Sequence, residues 1–106
     1  MWRAALGGSI AALLLSPAAQ AAGDVLPLAR QKTCMSCHAL ERKMVGPAYL
    51  DVAARYAGQP DAAARLAQSI MQGSRGNWGP VPMPASPRVT PAEAGQLARW
   101  ILSLQP

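Results

Sequence analysis

Cys34-Met35-Ser36-Cys37-His38 is the stretch on which the reading of this chain turns. Two thiols three residues apart, with an imidazole beside the second, form the C-x-x-C-H pattern by which a c-type haem is attached. Each thiol can add across a vinyl group of the porphyrin, and the adjoining His38 is then placed to bind iron from one face. Other uses of the pair fit less well. A thioredoxin-like redox motif calls for βαβ surroundings, whereas the flanking sequence reads as helix. Zinc needs further ligands, and the chain has 2 Cys and 1 His in all. A disulfide across two intervening residues closes a loop too short to stabilise much.

Composition agrees with a cofactor-filled interior. The chain has 106 residues, enough for one domain. It is 51% hydrophobic and 14% charged, which excludes a disordered polyelectrolyte. Phe is absent and aromatics total 5%, so a core of Ala, Leu and Val alone would be marginal. A porphyrin supplies the missing apolar body. Lys plus Arg outnumber Asp plus Glu 10 to 5, a formal charge of +5. The cations are spread from Arg30 to Arg99 without a dense basic stripe and interleaved aromatics, so nucleic-acid binding is not expected. A diffuse positive field suits brief docking on an acidic surface of another protein.

Residues 1–21 read as a secretory signal peptide. Arg3 precedes an apolar run from Ala4 to Leu15, then Pro17 and the small-x-small site Ala19-Gln20-Ala21. That run is short of the roughly 20 residues that span a bilayer, and Cys34 is too far downstream to be a lipidation site. Residues 22–106 are therefore expected to form an exported monohaem domain without stable membrane association, which agrees with haem attachment outside the cytoplasm.

Helical signals dominate that domain. Val25, Leu28 and Ala29 give a short apolar face, with Asp24 near its start and Pro27 confined to the first turn. Asp51 to Tyr56 reads as a short helix. Ala62 to Gln72 reads as another, with Asp61 in its first turn or at its cap, Leu66 and Ile70 on one face, and Gly73 as a stop. Thr90-Pro91-Ala92-Glu93 combines an N-cap, a proline at N1 and a glutamate at N3. Behind it Ala94, Leu97, Ala98, Ile101 and Leu104 recur at helical spacing, with Gly95 a weak point. Between Gly73 and Thr90 the glycines and prolines forbid regular structure, yet Trp78, Val81 and Met83 are apolar.

With one histidine in the chain, a second axial ligand has to be another residue type, and methionine serves in cytochromes c. Met1 goes with the leader, Met35 sits between the anchoring cysteines, and Met44 follows His38 too closely to leave its face. Met71 ends a helix and suits core packing. Met83, stiffened by Pro82 and Pro84, is the expected ligand.

Lys43-Met44-Val45-Gly46-Pro47-Ala48-Tyr49, Leu66-Ala67, Gly73 and Asn77-Trp78-Gly79-Pro80-Val81-Pro82-Met83-Pro84 closely resemble the class I c-type cytochromes of the cytochrome c-551 type, small periplasmic electron carriers. The resemblance implies an all-α class I cytochrome c fold of short helices wrapped around one covalently attached haem c, its first and last helices crossing near the haem. It implies that Pro47 gives its carbonyl to the His38 Nδ1 hydrogen, and that the Trp78 indole donates to a haem propionate. Tyr49 and Val45 would pack near the haem, Leu66, Ile70, Leu97 and Ile101 in the helical core, and Trp100 beneath the last helix. Three positions depart from the pattern. Ala29 replaces an aromatic, which would loosen the helix contact. Ser69 replaces a basic residue that pairs with a propionate, and Ser86 an asparagine near the methionine sulfur. The stretch before the last helix is one residue longer.

The reading is thus a non-enzymatic, monomeric one-electron carrier of the periplasm, with iron held by His38 and Met83. Lys32, Lys43 and Arg75 would steer docking. A membrane cytochrome complex is the expected donor, and nitrite reductase, a terminal oxidase or a peroxidase the expected acceptor. A haem-based sensor or peroxidase-like protein that releases Met83 is the alternative, weakened by the absence of a second, distal histidine. A third possibility, a subunit bound permanently in a larger enzyme, fits the short chain and charged surface less well.

Overall fold

The computed structural model describes residues 25–105, together with 7–9 and 11. The leader expected over 1–21 falls outside the described residues apart from those four positions, and so does Asp24. Among the described residues there are four α-helices, α1 (Val25–Gln31), α2 (Tyr49–Tyr56), α3 (Ala62–Gln72) and α4 (Pro91–Ser103), with a 3₁₀ turn at Cys34–Ser36. The only β-type pairing among them is an isolated antiparallel bridge between Ser74 and Met83.

The last helix starts where its cap directs. The Glu93 N–H donates to Thr90 Oγ1 at 3.2 Å, and the Thr90 N–H donates to Glu93 Oε1 at 3.0 Å, with Pro91 in the first turn. That reciprocal pair satisfies two N–H groups the helix cannot use internally. The Thr90 N–H, and after it Lys32, hold the Glu93 carboxyl below the usual carboxylate range. Lys32 Nζ lies 3.3 Å from Glu93 Oε1 and donates to the Arg88 carbonyl at 2.9 Å. Lys32 therefore ties the end of α1 to the start of α4. It is engaged in the fold and does not line the cleft described below, so it is not the free steering charge that its sequence position suggests.

The helices enclose two apolar clusters. Val25, Ala29, Ile70, Val89, Ala94 and Leu97 form the first; Tyr49, Val52, Tyr56, Ala62 and Ile101 form the second. Ala29 and Ala94 are both 0% exposed, so the expected loose contact at Ala29 is closed. Short side chains let the backbones approach, and Met35 packs against the same cluster. Cys34, Met35 and Trp100 touch both clusters, which places the 3₁₀ turn at their junction.

Two details differ from the sequence pattern. α2 starts at Tyr49 rather than Asp51, because the Tyr49 and Leu50 N–H groups donate to the carbonyls of Ala39 and Leu40, each at 3.0 Å. A preceding loop, not a capping side chain, satisfies that helix end. Asp61 stands at the N-cap of α3 but makes no side-chain capping bond. Its carboxylate instead lies 4.0 Å from Arg65, an exposed pair of small energetic consequence.

Candidate haem-binding cleft

The residues singled out by the sequence meet around one cleft. Cys34, Cys37, His38, Pro47, Trp78 and Met83 all line it. Its walls leave about 1300 Å³ free of protein atoms, part of it open to solvent. A large, flat, mainly apolar body fits there.

His38 is fixed from three sides. The 3₁₀ turn delivers it, with the Cys37 and His38 N–H groups donating to the Cys34 carbonyl at 3.2 and 3.0 Å. Thr33, in the left-handed region at φ 63°, turns the chain from α1 into this segment. The His38 Nδ1–H donates to the Pro47 carbonyl at 2.8 Å, nine residues on. A carbonyl oxygen only accepts, so the proton sits on Nδ1 and Nε2 keeps its lone pair for a metal. Tyr49 stacks on the ring, centroids 4.8 Å apart and planes 23° apart, and Trp100 meets Tyr49 edge-on at 5.6 Å. Beneath the imidazole lies Gly46. A Cβ there would come 2.8 Å from Nδ1 and 2.9 Å from Nε2, so no larger residue leaves room for the ring. His38 is 8% exposed and has its hydrogen-bond partner.

Cys34 and Cys37 are free thiols, each half-buried. Burial pushes the Cys34 thiol up, partly countered by the Tyr49 hydroxyl. Burial, and then the neighbouring Cys34, push the Tyr49 hydroxyl strongly upward, so it stays neutral across the physiological range. Among the described residues no three His, Cys, Asp or Glu side chains converge as a bare-ion site requires. Two thiols on the wall of an apolar cleft, beside an imidazole with a free lone pair, fit a metal carried inside a macrocycle.

The other wall comes from the loop after α3. Met83 is half-buried and, of the described methionines, the one that lines the cleft. Met71 and Met35 pack into the core, and Met44 is 38% exposed. Trp78 carries the Arg55 guanidinium over its ring, 4.3 Å from the centroid, while Arg55 Nη1 also donates to the Asn77 carbonyl. Sequence reading missed Arg55 as part of this rim. Its contact spans 22 residues and has no local signature. Ser69 lines the cleft, whereas Ser86 is tied by its N–H to the Ile70 carbonyl at 3.1 Å. Lys43 and Arg75 stand on the cleft wall, and Val45 and Val81, 58% and 57% exposed, border it.

Known proteins resemble this chain in sequence and fold. A family model described as cytochrome c matches residues 27–105. Cytochrome c-552 of Hydrogenobacter thermophilus is 59% identical over 74% of this chain and 79% of its own. Cytochrome c-551 of Pseudomonas aeruginosa is 55% identical over 77% of this chain and 78% of its own. The crystal structure of Nitrosomonas europaea cytochrome c552 superposes with a TM-score of 0.74 at 49% identity, covering 76% of this chain and 99% of that one.

Proposed function

The chain belongs to the cytochrome c family, and on that premise we propose that it is a periplasmic one-electron shuttle whose haem iron is held by His38 and Met83. Family membership carries one covalently attached haem c, with Cys34 and Cys37 at the attachment positions. Bound there, haem supplies an Fe(III)/Fe(II) couple. The chain's own residues do the rest. Cys34 and Cys37 hold one edge, and Pro47, Gly46 and Tyr49 orient the imidazole.

The observation that carries the reading is that Met83 shares the cleft with a histidine whose Nε2 is free. With haem bound, His38 and Met83 would hold the iron from the chain's side and leave no position for a substrate, which suits electron transfer over bond chemistry. A soft thioether also raises the potential. Trp78, steadied by Arg55, is the donor we assign to a haem propionate.

Docking follows from the cleft mouth. Exposed Val45 and Val81 border the cleft, and Lys43 and Arg75 line it as well. Such a surface supports brief contacts with partners carrying a complementary acidic face. We assign a membrane cytochrome complex as donor, and a nitrite reductase, terminal oxidase or peroxidase as acceptor. No helix among the described residues is long and apolar enough to cross a membrane. The leader over 1–21 directs export in this reading.

Optical spectra test it. The ferric protein should show a far-red sulfur-to-iron band, and the ferrous protein should not bind carbon monoxide. Ready formation of a ferrous carbonyl would instead favour a sensor with a displaceable methionine.

A further inference from the structure

Met83 lies between two prolines, so its own N–H is the one backbone donor that Pro82-Met83-Pro84 possesses. That donor and the Met83 carbonyl are both bonded to a single residue, Ser74, two positions past the end of α3. The Met83 N–H donates to the Ser74 carbonyl at 2.8 Å, and the Ser74 N–H donates to the Met83 carbonyl at 3.0 Å. The preceding residue makes this approach possible. Gly73 has φ +79°, and a Cβ on it would lie 2.7 Å from the Met83 oxygen, 2.9 Å from the Ala85 nitrogen and 3.2 Å from the Pro84 carbonyl carbon. These are backbone atoms, which cannot rotate out of the way. Farther along, the Ser86 N–H donates to the Ile70 carbonyl at 3.1 Å, a second attachment of the loop to α3.

We propose that Gly73 and Ser74 are positioning residues for Met83, and that this turn sets how readily the sulfur leaves the iron. The inference rests on Met83 being the sixth ligand. α3 makes its most extensive helix contact with α4, and α4 also packs against α1, which leads into the Cys34 turn. The latch therefore refers the methionine to the same frame that holds the histidine. Among the cleft residues Asn77 to Met83, Asn77, Val81 and Pro82 are exposed while Met83 is not. Met83 also packs against the first apolar cluster, and the latch is the contact that acts directly on its own backbone.

The molecule contains its own control. Gly58 has nearly the same backbone, φ +76°, but a Cβ there would meet nothing within 4 Å, and it does not line the cleft. Alanine strains the backbone at both glycines, yet only at Gly73 does it push on Met83. The test compares holoprotein variants Gly73→Ala and Gly58→Ala. Both should melt earlier than the parent. Only Gly73→Ala should weaken the far-red band and bind carbon monoxide in the ferrous state at concentrations about tenfold or more below any at which the parent does, as a conformational cost near 1.4 kcal/mol would produce.

An unchanged band and unchanged carbon monoxide affinity in Gly73→Ala overturn the proposal, as does equal loss in Gly58→Ala. A parent protein that lacks the band overturns Met83 ligation itself, a separate failure. If Gly73→Ala yields no holoprotein, amide exchange on the parent decides. Displacing the sulfur with excess imidazole should speed exchange at Ser74 and Met83, because coupling is reciprocal. The Gln59 amide, bonded to the Tyr56 carbonyl at 3.1 Å, should not change. Unaltered exchange at Ser74 and Met83 overturns the proposal.

Discussion

His38 and Met83 line one cleft, yet the contacts that hold them differ in reach and in burial. The imidazole takes its place from a tight turn, a carbonyl nine residues on, and an aromatic ring stacked on it, and it is 8% exposed. The thioether rides on a loop bordered by the exposed Val81, fastened by two backbone hydrogen bonds to the end of a helix. One side is built into the core and the other is latched to it. Local opening is therefore expected on the Met83 side, since regions with few buried contacts have the lowest opening free energies. Under the proposed ligation, the same asymmetry predicts that the histidine stays attached when the methionine is lost.

The largest effect should come from abolishing attachment. Cys34→Ser with Cys37→Ser removes both anchors, of which Cys34 packs against both apolar clusters. An aromatic-poor chain of this size then lacks a sufficient core. Intact mass should show no haem adduct, and circular dichroism should show loss of the cooperative helical transition. Retention of the parent's melting curve would count against the haem as core.

Met83→Ala comes next. It should erase the far-red band, open the ferrous iron to carbon monoxide and lower the potential, while leaving both thioether bonds in place. Gly46→Ala probes the opposite wall. The added methyl would take space held by the His38 ring, and overpacking of this kind costs about 1–3 kcal/mol. A lower Tm and a perturbed haem spectrum are expected. An unchanged spectrum would mean that the ring tolerates what the geometry forbids.

The smallest effect should fall where neither wall is touched. Thr90→Ala removes a cap, worth about 1 kcal/mol, and should lower Tm without altering the far-red band. Glu93 adds a pH signature. Its carboxyl is held below its ordinary range, so its contribution is fully present above the unfolded carboxylate pKa and fades as pH falls through the lowered folded value. Glu93→Gln should thus narrow the stability gap to the parent in acid. A gap that persists at low pH would show that charge is not its source.

How much of this is legible in the sequence depends on the range of the contact. The α4 start and the α3 end follow from Thr90-Pro91-Ala92-Glu93 and from Gly73, both local signals, whereas Asp61 marks the α3 start by position without making a capping bond. Cys34, Cys37 and His38 are local too, and Met83 can be reached by eliminating the other methionines. The two extra residues of α2 cannot be read, because carbonyls of a separate loop satisfy that helix end. Lys32 reads as a surface cation only until Arg88 and Glu93 are brought beside it. Arg55 over Trp78, and Gly73 beneath Met83, are likewise products of tertiary approach. At Ala29 the loss of bulk looks like a defect in one dimension and is a close contact in three.

Methyl-resolved proton NMR of the ferrous protein, with methionine methyls labelled, tests ligation most directly, because a methyl held over a porphyrin is shifted far upfield by the ring current. One such methyl is expected. It should vanish in Met83→Ala and persist in Met35→Leu, Met44→Leu and Met71→Leu. No upfield methyl, or one that survives the loss of Met83, would contradict the His38/Met83 account.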